Sequence, residues 1–114
     1  MRVKCFCNLF VSESLEKKKN QVIKELMEKK MHPSVYIISF SQGEQNHLEF
    51  FSSALLKQHI FDDKTLFVVG IAKGYDDAMY LIEKITQQVL TETGGTDIRH
   101  YIVEQQKDFE ESRV

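Results

Sequence analysis

The residues of this chain that could do chemistry are few, and Cys5 and Cys7 come first. Zinc sites built on cysteine need about four ligands, and redox pairs favour the CxxC spacing at a helix start. Thiols two residues apart on a strand lie on one face, and here that face also carries Val3, Leu9 and Val11. Because cysteine packs like a small hydrophobic residue, the spacing predicts two buried, slowly reacting thiols and no metal or redox site.

The segment from Gly70 to Gly74 is the best candidate for a ligand site, because it joins an apolar strand to a helix. Small molecules bind at the carboxyl ends of parallel strands, where helix N-termini offer N–H groups to anions. Gly70 and Gly74 would permit a close backbone approach, and Lys73 would neutralise a phosphate or carboxylate. Ser12 and Ser14, which follow the first strand, are expected across the same crevice.

Other residues of that segment favour a turn that binds no ligand. The glycines match neither GxGxxG nor a phosphate loop ending in GK[ST]. Asp76 and Asp77 place two negative charges at the start of the following helix, where they satisfy its dipole and repel a phosphate. A turn at Gly74 followed by an aspartate cap therefore explains the same residues without a ligand.

The lysines and histidines form no pattern typical of a site. Six lysines between residues 17 and 30 wrap around a helix, which indicates a solvated surface and no nucleic-acid-binding face. The histidines are scattered over different elements with no i,i+4 pair, and we assign them no metal or catalytic role: His32, His47, His59 and His100.

The spacing of hydrophobic residues along the chain predicts the strands and helices that would position these residues. Residues 3–11 alternate as a first strand, and Ser12 or Ser14 is expected to cap a helix that runs to about residue 30. Pro33 stops that helix, and residues 35–41 form the next strand. Residues 47–51 return as an antiparallel hairpin strand before a short helix from about residue 53 to residue 61, or they belong to a single helix from about residue 44. The poor helical start there favours the hairpin.

The second half of the chain begins with the clearest strand. Residues 66–72 are apolar without alternation, which predicts a central strand covered on both faces. A helix follows from about residue 77 to residue 93 and ends at Gly94 and Gly95. Residues 98–103 alternate as a last strand at a sheet edge, and residues 104–114 are expected to fray as a polar tail.

Two aromatic residues suggest self-association. Tyr80 falls on the polar side of the helix over residues 77–93, and Tyr101 lies on the predicted edge strand. Exposed aromatic side chains are enriched at interfaces. Pairing of the edge over residues 98–103 with its copy would extend the sheet across a two-fold axis, so we expect a homodimer.

Composition sets the class of protein. The chain has 114 residues, 42% of them hydrophobic and 28% charged, with a formal net charge of −2, which indicates one soluble domain and disfavours nucleic-acid or membrane binding. Lys4 interrupts the first apolar stretch, so we expect no secretory leader. Two cysteines make no disulfide framework, and we expect a cytoplasmic protein.

These observations predict one α/β domain over residues 1–103, with a four- or five-stranded, mainly parallel or mixed sheet covered by three helices. We expect a non-enzymatic interaction or regulatory domain that forms a homodimer and has no cofactor, and we keep one alternative. That alternative is a domain that binds an anionic small molecule, or an enzyme acting on one, at the turn around Lys73 and Gly74.

Overall fold

The computed structural model describes residues 2–30, 32–40, 48–57 and 65–113. The strands are β1 (Arg2–Val11), β2 (Val35–Phe40), β3 (Leu48–Ser52) and β4 (Thr65–Lys73). The helices are α1 (Lys19–Met27), α2 (Gly74–Thr93) and α3 (Ile98–Ser112), and two 3-10 segments span Glu13–Lys18 and Ser53–Lys57.

The four strands form one mixed sheet in the order β1-β4-β2-β3. β1 runs parallel to β4, with Val3 opposite Leu66. β2 is antiparallel to both β4 and β3, which confirms the predicted hairpin. The predicted α/β class is confirmed, with three helices and a sheet that is mixed, since one of the described strand pairs is parallel. The short helix predicted from about residue 53 is a 3-10 segment over Ser53–Lys57 in the described residues.

The succession of strand, helix and strand at the start of the chain predicts a right-handed crossover from β1 through the first helix to β2, and this prediction is wrong. Such a unit needs two parallel strands. In this sheet β4 lies between β1 and β2, and β2 runs antiparallel to β4 and hence to β1.

β4 occupies the centre of the sheet, as its continuous apolar run predicts. The side chains of Val68, Val69, Ile71 and Ala72 have no exposed surface. Successive residues point to opposite faces of a strand, so burial of neighbours such as Val68 and Val69 requires cover on both sides. One layer joins Val68 and Ile71 to Leu15, Val22 and Leu26 of the first helical segment. The other joins Val69 and Ala72 to α2 and α3.

The predicted strand over residues 98–103 is wrong, because these residues begin α3. The Asp97 carboxylate caps the helix by accepting a hydrogen bond from the backbone N–H of His100 at 3.0 Å. Ile98 and Ile102 are both buried against the layer formed with α2. Residues 104–112, expected to fray, continue the same helix.

The predicted ends of the other helices are confirmed in part. α2 starts at Gly74, three residues before the predicted start, and ends where expected, with Gly94 in the left-handed conformation at φ 73°. The first helix is divided into a 3-10 segment and α1, and α1 ends at Met27. Ser12 precedes the 3-10 segment but its side chain does not cap it, because the hydroxyl has another partner.

The two thiols of β1 do not share a face. The register against β4 shifts between Cys5 and Phe10. Cys5 packs with the layer beneath α1, whereas Cys7 packs with the layer beneath α2 and α3. The irregular register breaks the period-two pattern, so the expectation of one shared face is wrong. Both thiols are half-buried and free.

In the described part of the chain, no helix combines the length and the apolar character that crossing a membrane requires.

Candidate functional site

The carboxyl ends of the parallel strands β1 and β4 meet, and this brings Ser12 to Lys73. The backbone N–H of Ser12 donates to the Ile71 carbonyl at 3.0 Å. The backbone N–H of Lys73 donates to the Ser12 hydroxyl oxygen at 3.2 Å. Ser12 and Lys73 are therefore neighbours, as expected, but the Ser12 hydroxyl is buried and already bonded to the chain.

The two glycines of this segment have different structural roles. Gly74 adopts φ +85°, which a side chain disfavours, and its N–H donates to the Ser34 carbonyl at 2.8 Å. Gly70 lies inside β4, where a Cβ atom would come within 3.1 Å of the Phe10 carbonyl oxygen and 3.4 Å of Leu81. Gly70 thus allows β1 and α2 to pack closely on β4 and lies away from the turn.

Ser14 connects the 3-10 segment to α2. Its hydroxyl donates to the Asp77 carboxylate at 2.6 Å. Asp77 lies in the first turn of α2, where a negative charge suits the helix dipole. The turn predicted to hold a ligand is consequently closed by contacts within the chain at Ser12, Ser14 and Gly74.

A cleft opens on each side of this closed turn. The first, of about 520 Å³, lies between the 3-10 segment and α2 and is called the Tyr80 cleft; its polar lining includes Ser14, Asp77, Tyr80 and Lys84. Tyr80 is 63% exposed, and the Lys84 ammonium lies 5.8 Å from its ring centroid.

The second cleft, of about 240 Å³, lies between α1 and the sheet and is called the His32 cleft. Its ionisable lining residues are Lys18, Glu25, His32 and Lys73. The His32 imidazole contacts the Glu25 carboxylate through Nε2 and Oε2. The other oxygen of Glu25 accepts a hydrogen bond from the Gln21 amide at 3.0 Å.

The environment of Glu25 favours its ionised form. The hydrogen bond from Gln21 is the largest cause that lowers the pKa of Glu25 below its ordinary value, and the nearby His32 and Lys30 lower it further. Partial burial acts in the opposite direction.

The backbone of His32 is fixed from the opposite side by Ser53, which is fully buried. The Ser53 hydroxyl donates to the His32 carbonyl at 2.6 Å and accepts from the His32 N–H at 3.2 Å. The pairing of His32 with Glu25 was missed because it depends on the turn after α1, where Lys29 adopts φ 61°. The spacing of hydrophobic residues does not predict such a turn.

Of the remaining histidines, one lies within the described residues. His100 lies in α3, and His47 and His59 fall outside the described residues. Within the described ranges, no three His, Cys, Asp or Glu side chains are grouped so that they could hold a metal ion.

Tyr101 does not lie on a sheet edge, so the expected pairing through residues 98–103 is corrected. Its hydroxyl accepts a hydrogen bond from Gln88 at 3.0 Å and donates to Glu92, both in α2. Tyr101 therefore joins α3 to α2, whereas Tyr80 remains the exposed member of the predicted pair.

The two edges of the sheet differ in their cover. At the β1 edge, the Cys7 N–H donates to Gln106 at 2.8 Å, and Asn8 donates to Gln105 at 3.0 Å, so α3 protects this edge. At the other end of the sheet, β3 pairs only with β2 among the described strands. The open edge of the described sheet is therefore β3.

An aromatic cluster of Tyr36, Phe50 and Tyr75 adjoins β3 and is called the β3 patch. Met79 follows Tyr75 by about one turn of α2. The Tyr75 ring lies 5.1 Å from that of Phe50 and 6.4 Å from that of Tyr36, centroid to centroid. Tyr75 is 56% exposed and Met79 is also exposed. Sequence periodicity did not predict this patch because it forms where α2 crosses the β2–β3 hairpin.

Comparison with known proteins adds no assignment: no protein-family model matches the chain, and no curated protein or solved structure matches it significantly.

Proposed function

We propose that this domain is a non-enzymatic interaction domain that forms a homodimer through β3. The observation that supports the proposal is the contrast between the two sheet edges, since α3 covers β1 and no described strand pairs with the outer side of β3. An open edge presents backbone donors and acceptors that favour pairing with another strand.

The sequence of β3 suits such pairing. Natural proteins protect open edges with charged side chains, especially lysine, or with proline or a bulge. The strand LEFFS has one charged residue, Glu49, and no lysine or proline. Its pairing with β2 runs in continuous register from Tyr36 opposite Ser52 to Phe40 opposite Leu48. A regular edge in which three of the five residues are apolar is a template for a second strand.

A two-fold pairing of β3 also avoids repulsion between like charges. If Phe50 lies opposite its own copy in an antiparallel pair, Leu48 faces Ser52 and Glu49 faces Phe51 of the second copy. Directly opposed aromatic residues stabilise a strand pair, whereas opposed like charges destabilise it. The contact is self-complementary, as a two-fold interface requires.

Light scattering and sedimentation velocity over a range of protein concentrations test the proposal. We expect a dimer at high micromolar concentration, and a strict monomer there would contradict it. The variant Phe50→Lys, which places two ammonium groups opposite each other, should weaken the dimer at least tenfold, with circular dichroism and thermal unfolding used to verify the fold.

A matched pair of exposed tyrosines on α2 makes the test independent of core packing. Tyr75 borders Phe50, whereas Tyr80 lies in the Tyr80 cleft beside the 3-10 segment. Tyr75→Lys should weaken the dimer, and Tyr80→Lys should leave it unchanged. Equal effects of the two variants, or a loss confined to Tyr80→Lys, would place the interface elsewhere.

A further inference from the structure

The lining of the His32 cleft has two lysines and one carboxylate, so positive charge is in excess. Lys18 and Lys73 both line it, and neither makes an ion pair within the described ranges. The single carboxylate of the lining belongs to Glu25, and both of its oxygens already have partners in Gln21 and His32. Two ammonium groups therefore remain available to a ligand.

The floor of the same cleft is apolar. It is formed by Leu15, Val22 and Val35, which are buried in the layer between α1 and the sheet. The hydroxyl-bearing residues Ser14 and Ser34 complete the lining. Ligand sites commonly combine an apolar surface with a few polar groups that fix orientation.

We infer that the His32 cleft binds a small organic anion, in which one carboxylate or phosphate group is attached to a compact apolar body. Lys18 and Lys73 neutralise the anionic group, and the apolar body packs against Leu15 and Val22. The site lies beside the predicted turn and not in it, because the N–H groups of Lys73 and Gly74 are occupied by Ser12 and Ser34.

This binding is separate from the proposed dimer. The cleft belongs to the layer beneath α1, whereas Tyr36 and Phe50 of the β3 patch pack with the layer beneath α2. Loss of one property should leave the other intact, and each can be measured on a variant that lacks the other.

Titration of the ¹⁵N-labelled protein with benzoate and with phenyl phosphate, followed by amide chemical shifts, tests the inference. We expect saturable shifts at Leu15, Val22 and Val35 with at least one of the two compounds. Benzyl alcohol, which has the ring without the charge, should bind at least tenfold more weakly. Comparison of the two anions decides which head group the cleft prefers.

Variants of the two lysines identify the site. Lys73→Ala and Lys18→Ala should each weaken binding roughly tenfold, as expected for loss of a hydrogen bond to a charged group. Lys84→Ala, in the Tyr80 cleft, is the matched control and should bind as the unaltered protein does. Absence of saturable shifts, equal binding of benzyl alcohol, or unchanged affinity in both lysine variants would overturn the inference.

Discussion

The Ser12 hydroxyl accepts a hydrogen bond from the backbone N–H of Lys73 at 3.2 Å, and only 7% of the Ser12 surface is exposed. This contact joins the carboxyl ends of β1 and β4, the single parallel pair of the described sheet. A serine that sequence analysis placed in a ligand site is therefore a structural connection between two strands.

Ser12→Ala should destabilise the domain by about 1–3 kcal/mol, because it leaves the Lys73 N–H without its acceptor in a partly buried position. Ser14→Ala removes a hydroxyl from the exposed contact with Asp77 and should cost about 0.5 kcal/mol. Urea unfolding of both variants measures the difference. Equal losses would show that the Ser12 contact contributes little.

Gly70→Ala should destabilise the domain by about 1–3 kcal/mol, the usual cost of overpacking. The added Cβ would lie 3.1 Å from the Phe10 carbonyl oxygen, and backbone atoms of a paired strand cannot easily move away. Gly95→Ala is the control, since its nearest contact would be 3.8 Å from Thr93. Thermal unfolding should place the midpoint of Gly70→Ala well below that of Gly95→Ala.

Asp97→Ala should destabilise the domain by about 0.5–2 kcal/mol, because it removes the side chain that caps α3. Asp108 lies within α3 and its replacement by alanine should be neutral or slightly stabilising, since alanine has the higher helix propensity. Unfolding monitored by circular dichroism compares the two variants. A larger loss for Asp108→Ala would contradict this description of the helix start.

The Glu25 contact predicts a pH dependence of stability. The pKa of Glu25 is lowered in the folded state, chiefly by Gln21 and then by His32. Its contribution is therefore present above the unfolded pKa of glutamate, about 4.3, and is lost as the pH falls through the lower folded value. Glu25→Gln should flatten the decline of stability in this acidic range, measured by urea unfolding at several pH values.

Glu83→Gln, on the exposed side of α2, is the control for that experiment. It should leave the decline close to that of the unaltered protein. A steep decline that persists in Glu25→Gln would assign the acid sensitivity to other carboxylates.

Cys5 should react slowly with thiol reagents in the folded protein. Burial raises the pKa of the Cys5 thiol, and the thiolate is the reactive species. In the variant Cys7→Ala, labelling by a disulfide reagent at neutral pH should be slower than in the urea-unfolded chain and should accelerate as the pH rises. Equal rates in the folded and unfolded states would contradict the half-buried position.

Sequence patterns predicted the elements whose burial or termination depends on their own residues. The unbroken apolar run of β4 requires cover on both faces, and Gly94 ends α2 because a left-handed residue suits glycine. Strand direction was not predictable in this way. Strand direction depends on whether β4 pairs with β1, β2 or both. The spacing of hydrophobic residues within one strand does not predict which pairing forms.

The error at residues 98–103 has a specific physical cause. Ile98 and Ile102 are compatible with an alternating strand and also with a helix, where residues four apart share one face. Asp97 is a favourable helix cap and was the signal that could have decided between them. The contacts of Gln105 and Gln106 with β1 show that the polar continuation belongs to the packed helix.

The sheet order also constrains how the molecule assembles. β1 precedes the other strands in the chain, but its described partner in the sheet is β4. The pairing of Val3 with Leu66 therefore requires β4 to be present before hydrogen bonds between the two strands can form. The consecutive strands β2, β3 and β4 can pair through much shorter loops, which close at a lower entropic cost. β1 is thus expected to dock last, as the step that pairs it with β4.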